Sequence, residues 1–286
     1  MASRLGLSLG LSFILVLSCV KLGMSTGHGV VNVQDTEEKA AEAVAEYVAE
    51  LSKQVAQERG IFTVAVAGGT LIHTLRKLVE EPYKSCIDWS KWHMFWVDER
   101  LVPLTDKESN YKLAHDDFLT KVPIPLTNIH PVNVALPAAT AAEAYETLIK
   151  TLVHNKTIDF CHSSLFPRFD LVIVGMGPDG HVGSLFPGHP LLKEQKRWVV
   201  PVVDSPFLPK ERVTFTLPTM NSAKNFAFVI TASDLPEGAQ EMLADPVGKA
   251  LNGNHGDGSL PVAMVKPKEG KLRWFLDKTT AAKIEG

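Results

Sequence analysis

The sequence predicts an α/β fold, a mostly parallel, doubly wound sheet with helices on both faces and small additional strands near the C-terminus. Short apolar runs of strand length alternate with amphipathic stretches of helix length. The strand-like runs are apolar nearly throughout, as expected of strands covered on both sides. The residues just after them are glycine-rich or charged, the composition of loops at the carboxyl edge of such a sheet, where ligands collect.

In chain order, no Asp or Glu precedes Asp35, and Leu5 to Val20 is apolar and serine-dotted between Arg4 and Lys21. Residues 1–29 therefore read as a targeting extension, disordered or a hydrophobic helix, ahead of a single domain over 30–286. On composition the extension fits a secretory h-region and a plastid transit peptide equally, and it falls short of the roughly 20 residues of a membrane span. Asp35 and Glu38 stand at capping-box spacing before a helix whose apolar face is Ala40, Ala43, Val44, Tyr47, Val48, Leu51 and Val55, stopped by Gly60. A buried strand follows over Ile61–Ala67. Gly68-Gly69-Thr70 then turns the chain into a helix reaching about Glu80. Trp92–Val97 reads as a strand, Tyr111–Leu119 and Ala138–His154 as helices, and Asp170–Val174 as a strand. Further strands are expected at Trp198–Val203, Arg212–Leu217, Phe226–Thr231, Val262–Val265 and Leu272–Phe275.

Twenty-nine Lys and Arg against thirty-two Asp and Glu give a net charge of -3, so no global positive field exists to hold nucleic acid. An anionic ligand must be held by local cations. Cys19, Cys86 and Cys161 are odd in number and scattered, which speaks against a disulfide framework and a cysteine-rich zinc site. His181 and His189 lack the spacing of a helical ligand pair, and no His-Glu-x-x-His occurs, so no metal is indicated.

Three loops carry the chemistry. Gly68-Gly69-Thr70 sits at a strand-to-helix junction, where residues without Cβ let backbone N–H groups approach a phosphate; it lacks the Gly-Lys-Ser/Thr ending of a P-loop. Gly175-x-Gly177-x-x-Gly180 formally matches a dinucleotide fingerprint, with Asp204 further on. Pro178, Gly183, Pro187, Gly188 and Pro190 leave no room for the long helix that fingerprint needs. The run instead presents His181 as a general base, which an imidazole can be without a large pKa shift, and Asp179 as its orienting partner. No Gly-x-Ser-x-Gly elbow supplies a serine nucleophile, so water is the expected one. Arg100 and Arg212 lie at strand edges, where a guanidinium fork suits a phosphate as well as it suits a surface salt bridge.

The segment Asp170-Leu-Val-Ile-Val-Gly-Met-Gly-Pro-Asp-Gly-His-Val-Gly-Ser-Leu-Phe-Pro-Gly-His-Pro-Leu-Leu192 resembles the signature of 6-phosphogluconolactonases. The likeness extends to Asp98-Glu99-Arg100-Leu-Val-Pro103, to Arg212-Val-Thr-Phe-Thr-Leu-Pro-Thr-Met-Asn221, and to Leu260-Pro-Val-Ala263 and Gly270-Lys-Leu-Arg-Trp-Phe-Leu-Asp277. It runs from about Val31 to the C-terminus, and its wording is plant-like. The resemblance implies a Rossmann-like fold related to aminosugar-phosphate deaminases and ribose-phosphate isomerases. It implies hydrolysis of 6-phospho-D-glucono-1,5-lactone to 6-phosphogluconate in the pentose phosphate pathway, no cofactor, a small-molecule substrate as the partner, and no stable membrane partner for the mature domain. By the same resemblance His181 is the general base, Gly68, Gly69 and Thr70 cradle the phosphate, Asp98 lies at the substrate site, Arg100 holds substrate and steadies developing charge, and Arg212 pairs with the phosphate.

The chain departs from the family's wording in three places. Ala67-Gly68-Gly69-Thr70 stands where Ser-Gly-Gly-Ser is usual. Glu237-Gly238-Ala239-Gln240 stands where Gly-Lys-Ala is usual, which puts Ala239 at the position of a phosphate-reaching lysine and leaves Lys224 and Lys249 as the nearby replacements. The hydrophobic extension, third, fits the pathway best as a plastid address, with cytoplasm and the secretory route as alternatives. A deaminase or isomerase would typically carry Tyr where Arg100 stands, and a sugar-phosphate sensor without turnover would have no use for His181 and Asp179.

Overall fold

The computed structural model describes residues 24–26, 28–232, 235–253 and 259–285, and the expectations for residues 1–23 lie outside these. The first half of the chain forms β1 (Met24–Thr26), β2 (Gly29–Gln34), α1 (Glu37–Arg59), β3 (Phe62–Val66), α2 (Thr70–Thr74), α3 (Tyr83–Cys86), β4 (Trp92–Trp96), β5 (Asp98–Arg100), α4 (Asn110–Asp117), β6 (Ile129–His130) and α5 (Ala138–His154). The second half forms β7 (Asp159–Cys161), β8 (Phe166–Arg168), β9 (Leu171–Val174), β10 (Val199–Val202), β11 (Arg212–Phe215), α6 (Leu217–Asn221), β12 (Asn225–Ile230), α7 (Glu237–Leu251), α8 (Pro261–Met264) and β13 (Lys271–Asp277).

The main sheet runs β1-β2-β13-β12-β9-β3-β4-β6; every neighbouring pair from β2 to β6 is parallel, and β1 alone is antiparallel. This is the mostly parallel α/β sheet, flanked by helices, that the alternating pattern predicts. β3 and β9 sit at its centre and are buried at every position. The sheet begins inside the stretch read as the leading extension, since Met24–Thr26 pair with β2. The C-terminal β13 is a full member between β2 and β12, and its Trp274 and Leu276 are buried. β10, β11 and β5 form a separate antiparallel sheet.

Two local expectations are corrected. The cap of α1 is Thr36, whose hydroxyl accepts from Lys39 N–H at 3.2 Å, rather than Asp35. Glu38 does not close a capping box; its carboxylate pairs with Arg76 and Lys77, where two cations gain more than one backbone N–H. Val262–Val265 is not a strand, because Pro261 starts the one-turn helix α8 there, and a short apolar run has no period by which to tell the two apart.

A buried carboxylate ties the opposite end of the sheet together. Asp170, fully buried before β9, receives both oxygen contacts of Arg59 Nη1 at 2.7 and 2.6 Å, Lys224 Nζ at 3.1 Å, and the Thr63 N–H and hydroxyl. Its role is structural, since removing one member of such a buried set typically costs about 3–5 kcal/mol.

At the β4–β6 edge, His93 Nδ1 and His130 Nε2 stand 3.2 Å apart, with the His130 ring stacked 4.6 Å from Phe95. Burial, and then the neighbouring His93, push His130 down to about 4, from 6.5. A base whose pKa falls on folding binds protons preferentially when unfolded, so stability is lost as the pH drops from about 6.5 toward 4. His130→Gln is expected to flatten the loss of stability between about pH 7 and pH 5, by up to about 2 kcal/mol, in urea unfolding. An unchanged pH profile would contradict this.

Candidate active site

The carboxyl ends of β3, β4, β9 and β12 open onto one cavity of about 370 Å³. Gly68, Gly69, Thr70, Asp98, Arg100, Arg212 and His181 all line it, so residues far apart in sequence share one concave surface. Asp179 joins them through His181. The segment over 175–189 forms no helix, in keeping with the rejection of a dinucleotide site. Asp204 instead faces His189 Nε2 at 3.0 Å, outside the cavity lining.

The turn after β3 is shaped by its neighbour. A Cβ on Gly68 would stand 2.0 Å from Asn110 Oδ1, so only glycine fits. Gly69 is the N-cap of α2 and no side chain caps that helix, which leaves backbone N–H groups for a ligand in the manner of anion sites at strand-to-helix turns.

On the opposite loop, Asp179 Oδ1 lies 2.5 Å from His181 Nδ1 and also accepts the His181 backbone N–H at 3.2 Å. Burial works to raise the Asp179 carboxyl, but the hydrogen bond and charge of His181, with backbone N–H groups, outweigh it and hold the group below its ordinary value. An ionised carboxylate only accepts, so Nδ1 is the nitrogen that carries a proton toward it, and in the neutral imidazole the lone pair is on Nε2. The ring packs against Gly177, where a Cβ would meet its Cε1 at 2.0 Å. Phe186 and Phe207 pack around it at centroid distances of 4.9 and 5.5 Å.

Arg100 and Arg212 are directly opposite one another across β5 and β11, which places both side chains on one face. Arg212 is buried and already engaged: Nε donates to the Pro209 carbonyl at 3.0 Å, Nη2 to Phe207 O at 3.3 Å and Nη1 to Ser184 Oγ at 3.4 Å. Burial lowers its pKa, Asp98 pulls it back up, and Arg100 lowers it further. Arg100 Nη1 donates to Glu108 O at 2.7 Å, whereas its buried Nε has no protein partner among the described residues. Two guanidinium groups against the single lining carboxylate of Asp98 make this wall cationic, with donors to spare for an anion.

Several neighbours escaped the sequence reading. Glu99, fully buried, accepts from the N–H groups of Arg100, Asn110 and Tyr111 and from Ser109 Oγ. Ser184 Oγ donates to Asp98 Oδ2 at 2.7 Å. Asn110, at the start of α4, lines the cavity although its position suggests only helix capping. The α7 side is apolar: Leu235, Ala239, Met242 and Leu243. Its helix is obscured in the sequence by Gly238, Pro246 and Gly248.

Residues 35–274 match the family described as Glucosamine-6-phosphate isomerases/6-phosphogluconolactonase. The chain belongs to this family. It is 49% identical over 251 residues to a protein of Oryza sativa subsp. indica named "Probable 6-phosphogluconolactonase 4, chloroplastic", covering 88% of this chain and 75% of the relative. It is 48% identical over 254 residues to "6-phosphogluconolactonase 3, chloroplastic" of Arabidopsis thaliana, covering 89% of this chain and 75% of that one. Among solved structures, 6-phosphogluconolactonase from Thermotoga maritima superimposes with a TM-score of 0.70 at 28% identity, over 87% of this chain and 99% of the other.

Within this family member the two candidate replacement lysines are committed elsewhere. Lys224 pairs with Asp159 and with Asp170, Lys249 pairs with Asp245 at 2.7 Å, and neither lines the cavity. Ala239 does line it. Ala239→Lys is therefore expected to tighten binding of 6-phosphogluconate by roughly ten- to a hundredfold, the size of one charge-assisted hydrogen bond, measured by calorimetry. Unchanged affinity would show that a cation at this position cannot reach the ligand.

Proposed function

We propose that this cavity hydrolyses 6-phospho-D-glucono-1,5-lactone to 6-phospho-D-gluconate, in the oxidative pentose phosphate pathway, with His181 as general base. The observation that carries the reading is His181, oriented by Asp179, in the same cavity as two arginines and the Gly68–Thr70 turn. Its Nε2 accepts a proton from water as the water oxygen bonds to the lactone carbonyl carbon. The carbonyl electrons move onto oxygen, and Arg100, whose guanidinium lines the cavity, stabilises that oxyanion. Collapse re-forms the carbonyl, breaks the ring C–O bond and returns the proton from His181 to the leaving ring oxygen, which becomes the C5 hydroxyl; the acid product ionises. Gly68, Gly69, Thr70 and Arg212 hold the phosphate, Asp98 steadies the arginines, and no step calls for a cofactor.

His181→Ala is expected to lower lactone hydrolysis by about a hundredfold to ten-thousandfold, the contribution of a general base, in an assay referenced to the spontaneous rate in buffer. An unchanged rate would remove His181 from the mechanism. Saturable binding of 6-phosphogluconate by a wild type without turnover would favour the sensor reading instead, and ammonia release from glucosamine 6-phosphate the deaminase.

We further propose that residues 1–29 direct the domain at 30–286 to the plastid stroma. The composition of the extension and the chloroplastic names of the rice and Arabidopsis relatives support this. Among the described residues no helix is long and apolar enough to cross a membrane. Import into isolated plastids is expected to yield a mature N-terminus near residues 23–29 by mass measurement. A glycan on the exposed Asn155, in its Asn-x-Thr sequon, would point to the secretory route instead.

A further inference from the structure

We propose that Asn110 reads a ring hydroxyl of the substrate, its side-chain oxygen accepting a hydrogen bond from that hydroxyl in the cavity wall beside Gly68. Asn110 is 2% exposed and lines the cavity. Its orientation is fixed from two sides. The backbone N–H is held by Glu99 Oε1 at 2.8 Å, and the side-chain Nδ2 donates to the Asp98 carbonyl at 2.9 Å. Reversing the amide would set two oxygens against each other, so Oδ1 must be the atom on the Gly68 side, where a Cβ would meet it at 2.0 Å.

The wall around it is made of donors: Arg100, Arg212 and the turn after β3. Donors suit a phosphate and a carbonyl oxygen, but a hydroxyl hydrogen needs an acceptor. Asp98, the carboxylate of the lining, takes the Ser184 hydroxyl on Oδ2, and its charge is matched to Arg212. Asn110 Oδ1 offers that acceptor on a rigid mount, and a pre-oriented polar group discriminates against a ligand that leaves it unpaired. The proposal rests on reading the cavity as a sugar-lactone site.

The test compares wild type and Asn110→Ala on 6-phosphogluconolactone and on its 2-, 3- and 4-deoxy forms. The expected result is a fall of about three- to tenfold in kcat/KM for the full substrate, the size of one neutral hydrogen bond. For one of the deoxy lactones, wild type and variant should then agree within about twofold, because the partner hydroxyl is gone. An equal loss on all four lactones would overturn the proposal and leave Asn110 as a support for the Gly68 turn; so would no loss on any. Should Asn110→Ala fail to fold by circular dichroism, Asn110→Gly carries the same comparison. If wild type hydrolyses no lactone, the cavity's assignment fails on its own. The hydroxyl contact is then read from equilibrium binding of 6-phosphogluconate and its deoxy analogues to wild type and variant, with the same pattern for and against.

Discussion

The site depends on a carboxylate that never touches solvent. Glu99 accepts three backbone N–H groups and one hydroxyl while fully buried. Burial, with a smaller push from the neighbouring Asp98, raises its pKa above the ordinary value, and the N–H groups of Tyr111, Asn110 and Arg100 offset part of that rise. Two of these N–H groups belong to the first turn of α4, where a helix has no internal partners for them, and the third to β5. One side chain thus splices the end of β5 to the start of α4 across the intervening loop. Asp98 and Arg100 on one side of the splice, and Asn110 on the other, are held in a fixed relation. Removing the carboxylate would leave several buried donors unpaired at about 1–3 kcal/mol each.

The histidine loop is fastened to the same frame. Ser184 donates its hydroxyl to Asp98 and its backbone N–H to Thr214 Oγ1 on β11. Arg212, also on β11, reaches Ser184 and the carbonyls of Phe207 and Pro209. The guanidinium therefore holds the segment whose Phe207 packs on His181. The same guanidinium that lines the cavity thus also braces the loop beside it. Charge and position are coupled: the small antiparallel sheet sets the two arginines opposite each other, and the same sheet anchors the loop that carries His181.

This explains which parts of the molecule could be read from sequence. The order of strands and helices follows local pattern, so β3, β4, β9, β12 and α5 emerge where the periodicity puts them, and the loops after them carry the expected Gly68–Thr70, Arg100 and His181. Pairing partners are tertiary. β5 is only Asp98-Glu99-Arg100, a charged triplet with the composition of a loop, and nothing local reveals that it joins β11. Glu99 and Asn110 look like an exposed acid and a helix cap until the chain brings Gly68 against the amide. Lys224 and Lys249 are equally available by sequence distance, and only the ion pairs with Asp159, Asp170 and Asp245 show them spent.

The lining of the cavity is asymmetric in charge. One part of the lining carries Arg100, Arg212 and the open N–H groups of the β3–α2 turn; the part from the α7 side contributes Leu235, Ala239, Met242 and Leu243. An anion laid on the apolar wall would lose water and gain no partner, a penalty of several kcal/mol, whereas the cationic wall supplies donors that are themselves short of acceptors. An anionic group in this cavity therefore finds its donors on the arginines and the turn after β3, and the α7 side, with Ala239 in place of a cation, adds none. The apolar side still contributes, since contacts that exclude water strengthen each charged interaction in the same cavity. The cations and free donors of the cavity are concentrated on one wall, and Glu99 keeps that wall in register.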